Sequence, residues 1–499
     1  MVAEAGALRM GTPAGRWVLA TTVLGSSLAM IDGTVVNVAL ERIGTEFGAG
    51  FAALQWTINA YTLTLASLIL LGGSLGDHFG RRRVFLIGVI WFALASLACG
   101  LAPDSGTLIA ARALQGVGGA LLTPGSLAII SASFHGPDRA AAVGAWSGLG
   151  GIAGAVGPFL GGWLVEWNWR VVFLINLPLA ALVVVVALRH VPESRDAESA
   201  SGLDVAGTVL AVIGLGALTY SLTGLGAQGP QPLLLGALGV GLLALVAFVL
   251  VERRSAHPLV PPALFRNPLF SAANAATLLI YGALGVVFLL LVLQLQTVAK
   301  FSPLAAGTAL LPVTLIMLLF SARAGALAGR IGPRLPMTIG PLISACGLLL
   351  MLRVGGQTSW LADVLPAVLV FGAGLALTVA PLTATVLDAA PDRFAGSASG
   401  VNNAVARAAG LLSVAVIPGI AGIGGADYQD PVAFDAGFHM AMMIGAGLLV
   451  VAAAVSFVFV RRPLAAAAAP DRVEIAKCLH CGVNGPQVHP ADTARADTD

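Results

Sequence analysis

Long apolar runs recur from one end of the chain to the other, and no other feature constrains the fold as tightly. A helix that crosses a bilayer needs about 20 mostly apolar residues. Such runs lie near 17–40, 53–75, 84–102, 107–130, 140–163 and 170–189, then near 204–225 and 232–251. Six more follow near 269–296, 304–328, 334–354, 361–387, 395–422 and 437–461. A soluble domain carries roughly 25% charged residues. Here 10% are charged, 58% are apolar and the mean hydropathy is +0.92. In water so apolar a chain would expose large adhesive patches, so the bilayer is its solvent. The 62 Gly and 27 Pro suit membrane helices better than soluble ones. The runs lack the alternation over about 10 residues that a barrel strand requires. The fold class is therefore all-α integral membrane, with about fourteen transmembrane helices.

Lys and Arg set the expected orientation. With both termini placed in the cytoplasm, the inside loops hold Arg81, Arg82, Arg83, Arg139, Arg189, Arg195, Arg253, Arg254, Arg266, Arg330, Arg334, Arg393, Arg461 and Arg462. The outside segments hold Arg42, Arg170, Lys300 and Arg353, and the loop 422–437 carries Asp427, Asp430 and Asp435 without a basic residue. Arg9 and Arg16 precede an apolar stretch that continues past Asp32 with no small-residue cleavage site, so the first span is expected to be retained. A multi-pass protein of the plasma membrane with both ends inside is the expectation.

A repeat divides the chain. Residues 73–82 read GSLGDHFGRR and residues 325–334 read GALAGRIGPR, each after the second span of a six-span block. Duplicated halves around a central site are a recurring transporter plan. The expected organisation is two pseudo-symmetric six-helix bundles, 1–190 and 269–462, two extra central helices within 204–251, and a flexible cytoplasmic tail from 463. No loop is long enough for a separate catalytic domain. Cys99 and Cys346 fall in apolar spans and suit small core positions, while Cys478 and Cys481 form a lone C-x-x-C in the tail, short of the four ligands of a structural zinc site.

Function classes narrow by what is missing. ATP-driven pumping requires G-x-x-x-x-G-K-[ST], but Lys300 and Lys477 are followed by Phe301 and Cys478. An ion gradient is the default driver, since one charge crossing 100 mV supplies ~2.3 kcal/mol. There is no G-x-S-x-G, no H-E-x-x-H and no paired His cluster, so neither an enzyme nor a metal or other cofactor is expected, and no nucleic-acid partner.

Several residues stand out inside the spans. Asp32, in MIDGTVVNVAL (30–40), is a carboxylate that costs ~2.5–3.5 kcal/mol to place at mid-membrane. Burial disfavours its charge and a nearby cation favours it, which makes it a candidate to take up and release a proton. Arg112, in RALQGVGGALLTPG (112–125), stays protonated and can only tune such a carboxylate; its alternative role is to snorkel to the interface. Gln115 shares its helix face, and Gly116, Gly118 and Gly119 invite close helix approach. In the loop 73–83, Gly73 and Gly80 permit a tight turn, and Asp77 and Arg81 stand at i, i+4. They are candidates for a latch, or simply an inside anchor. The second copy has Gly329 in place of the Asp. Gly157, Pro158, Gly161 and Gly162 mark a kinked, closely packed fifth span. Arg407 is a second buried-cation candidate beside Asn402 and Asn403, with Asp388 and Asp392 around the preceding loop as candidate partners near the cytoplasmic face. Trp56, Asn59, Tyr61, Asn274, Gln294 and Phe371 are candidate cavity-wall residues.

Taken together these stretches resemble the major facilitator superfamily, specifically its fourteen-helix drug:proton antiporter family. GSLGDHFGRR looks like the superfamily's G-x-L-a-D-r-x-G-r-k loop, and LIAARALQGVGGA (108–120) like its l-x-x-x-R-x-x-q-G motif. GAVGPFLGG (154–162) resembles the g-x-x-x-G-P-x-x-G-G antiporter motif, with Ala153 at the first glycine's place. MIDGTVVNVAL and WRVVFLINLP (169–178) are similar to signatures of the fourteen-helix branch. The resemblance implies a monomer that exports lipophilic, often cationic, drugs or antibiotics in exchange for protons by alternating access. It also implies proton handling by Asp32 with Arg112 as helper, gating by the Gly73–Arg81 loop, and Gly157 and Pro158 as the antiporter mark. An importer or a lipid-moving member of the same superfamily is the alternative.

Overall fold

The computed structural model describes residues 8–195, 204–255, 258–391, 394–424, 428 and 430–460. Arg393, Asp392, Asp427, Arg461, Arg462, Cys478 and Cys481 lie outside them. Among the described residues, fourteen helices are long and apolar enough to cross a membrane. They are α1 (Pro13–Phe47), α2 (Phe51–Phe79), α3 (Arg81–Gly100), α4 (Ser105–Ser133), α5 (Gly136–Trp167), α6 (Val171–His190) and α7 (Val205–Gln228). The rest are α8 (Pro232–Arg254), α9 (Pro268–Thr297), α10 (Pro303–Ile331), α11 (Arg334–Arg353), α12 (Trp360–Asp388), α13 (Ala395–Ile420) and α14 (Pro431–Phe459). No strand occurs among the described residues. The fourteen expected spans are all present, and several helices outrun them. α1 continues to Phe47 because its charged last turns are held, Glu46 pairing with Arg170.

Local sequence sets the boundaries. Thr12 caps α1 by accepting from the Gly15 N–H, Pro13 occupies the first turn, and Gly48 ends the helix in the left-handed region. Asp104 caps α4, accepting from the Thr107 N–H at 2.8 Å, and that bond lowers its carboxyl pKa. Pro178 cannot donate to the carbonyl four residues back, and α6 is interrupted at Ile175 just before Asn176. Large apolar side chains such as Leu94, Leu188, Leu243 and Leu361 are exposed, as a lipid-facing surface requires.

α1 packs on α5 and α6, and α4 packs on both α2 and α3. Among the later helices, α9 packs on α13 and α14, and α12 on α10 and α11. α7 and α8 pair with each other, and α7 lies along both α2 and α13, where Gly226 sits against Gly419. Glycines make the tight crossings. A side chain at Gly116 would run into Thr64 and the Tyr61 carbonyl, and one at Gly118 into Phe92.

Hydrogen bonds mark two faces of the bundle. On the near face, where α1 begins, Leu8 bonds Ser133 and Arg334 donates to the Phe457 carbonyl. On the far face, Glu46 accepts from Trp169 Nε1 and Arg170, and Arg170 also donates to the Ala102 carbonyl. The described hydrogen bonds that join α1–α6 to α9–α14 all lie toward the far face. They run from Gln55 to the Val414 carbonyl, from Gln296 to the Val38 carbonyl and from Tyr428 to the Ala49 carbonyl. α5 and α10 also meet there, Gly162 against Leu304 and Gly307 against the Pro158 carbonyl. Toward the near face, Gly144, Gly148 and Gly151 of α5 look into open space. The halves are thus joined at the far face, and α5 leaves these glycines exposed toward the near one.

Candidate functional site

Five helices converge on one carboxylate. Asp32 of α1 and Arg112 of α4 are each 1% exposed, so Arg112 does not snorkel. Arg112 donates to Asp32 Oδ2 at 2.5 Å, to Gln115 Oε1 at 2.6 Å and, through Nε, to the Thr57 carbonyl of α2 at 3.0 Å. The other carboxylate oxygen, Asp32 Oδ1, accepts from Gln115 Nε2 at 2.8 Å and from Asn176 Nδ2 of α6 at 3.2 Å. Ser96 of α3 accepts from both amides, at 2.7 and 3.3 Å. The tight α2–α4 crossing at Gly116 brings Arg112 within reach of the Thr57 carbonyl, and Tyr61 lays its ring under the guanidinium at 4.3 Å. An ionised carboxylate can only accept hydrogen bonds, and every contact made to Asp32 is a donor. The cluster is thus a sealed ion pair with its lone pairs occupied, the condition under which a buried pair is tolerated.

The α5 motif touches this centre from outside. A side chain at Gly157 would meet Thr34 Oγ1 and approach the Ile31 carbonyl, so α5 rides on the α1 turn that carries Asp32. Gly161 packs on Val35 of the same helix. Gly162 faces the other way, onto α10.

The near-face loop is a second polar cluster. Arg81 Nε donates to Asp77 Oδ1 at 2.8 Å. Gly80 has φ of 110°, and a side chain there would strike the Glu193 carboxylate. Glu193 accepts from the Arg82 N–H, Arg82 also donates to the Val191 carbonyl, and the Arg81 N–H bonds the Ser194 carbonyl. Gly73 packs near Pro124. In the second copy Gly332 repeats the turn with φ of 90°, and Arg334 reaches the Phe457 carbonyl at 2.7 Å.

The candidate cavity residues separate. Tyr61 bonds the Ala29 carbonyl at 3.2 Å. Asn59 is fully buried, and neither amide atom has a partner. Asn274 accepts from Asn402 at 3.2 Å. Trp56 is half-buried. Gln294 donates to the Val354 carbonyl and to Asp435 near the far face, and Phe371 is packed into the α11–α12 contact at Gly347. Arg407 makes no ion pair with Asp388; Nε donates to Asn403 Oδ1 at 3.0 Å. An apolar crevice of about 870 Å³ lies apart from all these charges, between α5, α10 and α12, lined by Ile152, Leu315 and Trp360 among others. Sequence reasoning singled out Asp32, Arg112 and Gln115 but not Thr57, Ser96, Asn176 or Glu193. Asn176 was within sight, standing in the WRVVFLINLP stretch beside a helix-breaking proline.

Comparison with known proteins gives one consistent picture. Residues 22–415 match the model of the Major Facilitator Superfamily. The multidrug resistance protein Stp of Mycobacterium tuberculosis (strain CDC 1551 / Oshkosh) is 36% identical over 409 residues, covering 80% of this chain and 74% of that one. The puromycin resistance protein pur8 of Streptomyces alboniger is 37% identical over 423 residues, covering 83% of each. A crystal structure of a POT family transporter in complex with 5-aminolevulinic acid superposes with a TM-score of 0.65 at 15% identity, over 90% of this chain and 96% of that one, which is a likeness of fold.

Proposed function

Because the chain belongs to the Major Facilitator Superfamily, we propose that it is a proton-coupled exporter of lipophilic drugs, antibiotics or secondary metabolites, working by alternating access. That it is a multi-pass transporter of this superfamily follows from the match itself, and resistance and export are what its relatives are named for. The observation that carries the coupling is the sealed Asp32–Arg112 pair. Asp32 is its titratable member and Arg112 stays charged. A proton on Asp32 turns one acceptor oxygen into a donor, which cannot face the donors of Arg112, Gln115 and Asn176. The network must then rearrange, and five helices rearrange with it.

α5 supplies the lever. Through Gly157 it follows α1, and through Pro158 and Gly162 it bears on α10 at the closed far face. The near face carries Arg81, Arg82, Arg83, Arg139, Arg253, Arg254 and Arg334, so it is the cytoplasmic one. The conformation is then open to the cytoplasm and ready to load. On this reading α1–α6 and α9–α14 are the two rocking bundles of the plasma-membrane protein, with α7 and α8 along their α2–α13 seam. The loop of Gly73, Asp77, Gly80 and Arg81, tied down by Glu193, stiffens the cytoplasmic edge of the first bundle. The protein acts as a monomer, without enzymatic activity.

Inverted membrane vesicles with an imposed proton gradient and a substrate panel test the coupling. Addition of a transported substrate releases protons from wild-type vesicles, and Asp32→Asn abolishes the release. Release that survives Asp32→Asn would show that another group carries the proton.

A further inference from the structure

Arg407 is a guanidinium for which no acid among the described residues serves as counter-ion. It stands midway along α13, at the depth where a cation is costly and requires a partner. None of the described ion pairs includes it. Its one hydrogen bond among the described residues uses Nε, to Asn403 one turn earlier. Both terminal nitrogens are left without an acceptor among the described residues. Its electrostatic neighbours are Tyr61 of α2 and Tyr281 of α9, so it lies where the first half, the second half and α13 converge.

The surroundings hold it in place without closing over it. One turn before, Asn402 donates to Asn274 Oδ1 and to Thr277 Oγ1 at 2.8 Å, pinning α13 to α9. Gly285 of α9 packs against Gly410 and Ser413 on the far side of Arg407. Yet Arg407 itself is only half-buried, Asn403 is exposed, and the side-chain direction of Gly410 meets nothing within 4 Å. Tyr61 cannot neutralise it, since its hydroxyl already bonds Ala29 and its ring covers Arg112. Asp32 cannot either, because Arg112, Gln115 and Asn176 occupy its oxygens. The two charges of the sealed pair cancel, whereas the positive charge of Arg407 is matched by no acid among the described residues.

We propose that Arg407, flanked by Asn403, Tyr61 and Tyr281, binds the anionic group of a lipophilic exported molecule. The inference rests on the transport reading above and names the substrate class of its central site. The ligand carries one carboxylate, sulfonate or ionised phenol on an apolar body. The two guanidinium nitrogens without an acceptor among the described residues suit a bidentate group, and the half-buried Tyr281 ring suits the apolar body. Lipophilic cations are disfavoured at the same place by like charge.

The test uses full-length purified protein and two matched fluorescent probes, 1-pyrenebutyrate and its neutral alcohol 1-pyrenebutanol. Anisotropy titrations are expected to show the acid binding at least about tenfold more tightly, a ratio worth 1.4 kcal/mol. Arg407→Gln removes that preference and Arg407→Lys retains part of it. A second measurement needs no variant: the acid, and not the alcohol, protects Arg407 of the wild type from phenylglyoxal, read by mass spectrometry of its peptide. Equal affinities, binding of neither probe, a preference that survives Arg407→Gln, or no protection of Arg407 overturns the proposal. The transport reading fails separately. If reconstituted protein binds the acid through Arg407 but no substrate drives proton release, the coupling falls and the anion site stands.

Discussion

The two halves of the molecule each place an arginine inside a membrane span, and they treat it in opposite ways. Arg112 is 1% exposed and spends its donors on Asp32, Gln115 and the Thr57 carbonyl. Arg407 hydrogen-bonds only Asn403 among the described residues and is half-buried. Both pay the same entry cost to a bilayer core. The difference lies in who supplies the counter-charge. Where the protein supplies it, the proposed coupling has a proton on the acid open the pair. Where the protein withholds it, the site is left for a solute. Sequence composition cannot separate the two, because both look like one arginine in an apolar run.

The largest effect should come from breaking the sealed pair while leaving the open cation for comparison. Arg112→Ala strands Asp32 in the core, and removing one partner of a buried pair costs ~3–5 kcal/mol. Accumulation in membranes and the unfolding midpoint in detergent should both fall sharply. Arg407→Ala strands no acid and should accumulate near the wild-type level. Asp32→Asn with Arg112→Gln should recover much of the accumulation but not proton release, since no carboxylate remains in the cluster. An Arg407→Ala variant as unstable as Arg112→Ala would erase the distinction, and would mean that Arg407 has a structural partner after all.

The second effect compares the two ends of α5. At Gly157 a methyl group runs into Thr34, and at Gly162 into the Leu304 backbone. Overpacking of this kind costs ~1–3 kcal/mol, and because it wedges α5 off α1 or α10, Gly157→Ala and Gly162→Ala should cut initial transport rates about tenfold or more. Gly148 has nothing within 4 Å of an added methyl. Gly148→Ala should fold and load normally; a loss of turnover, seen as slow transport with unchanged probe binding, would show that this stripe closes on α10 in the other conformation.

Much of this was legible in the residues. Spans are written in hydropathy, because lipid imposes a length and a composition on every helix that crosses it. The ion pair was half legible: Asp32, Arg112 and Gln115 announce themselves as polar groups in apolar runs. Which groups they meet depends on helix rotation and crossing, and those are set by glycines such as Gly116 whose partners lie dozens of residues away. Ser96 and Thr57 gave no signal at all. A serine in a membrane helix usually satisfies itself on its own backbone, and the Thr57 contribution is a carbonyl that every residue owns. Gln294 and Phe371 show the converse error. Polarity and aromaticity suggested a cavity wall, but one is tied down near the far face and the other fills a helix crossing.

The smallest effect belongs to the near-face repeat, where the halves differ again. The first copy is held by carboxylates, Asp77 to Arg81 and Glu193 to Arg82. The second has Gly329 and Pro333 at the positions of Asp77 and Arg81, and uses only Arg334 on the Phe457 carbonyl and ring. Partly exposed pairs are worth ~0–1 kcal/mol, so Asp77→Asn and Glu193→Gln should each change transport by no more than about fivefold. Gly329→Asp alone should do nothing: there is room for the side chain, but Pro333 offers no cation at i+4. Gly329→Asp with Pro333→Arg writes the missing pair into the second half and should slow transport only if the asymmetry of the two edges matters to the rocking motion. The decisive comparison is between the two acids of the first copy. Both act within one half in this conformation, so equal, small losses would confine them to stiffening the loop. A loss for Asp77→Asn far beyond that for Glu193→Gln would mean that Asp77 leaves Arg81 when the cytoplasmic side closes and takes a partner across the gap.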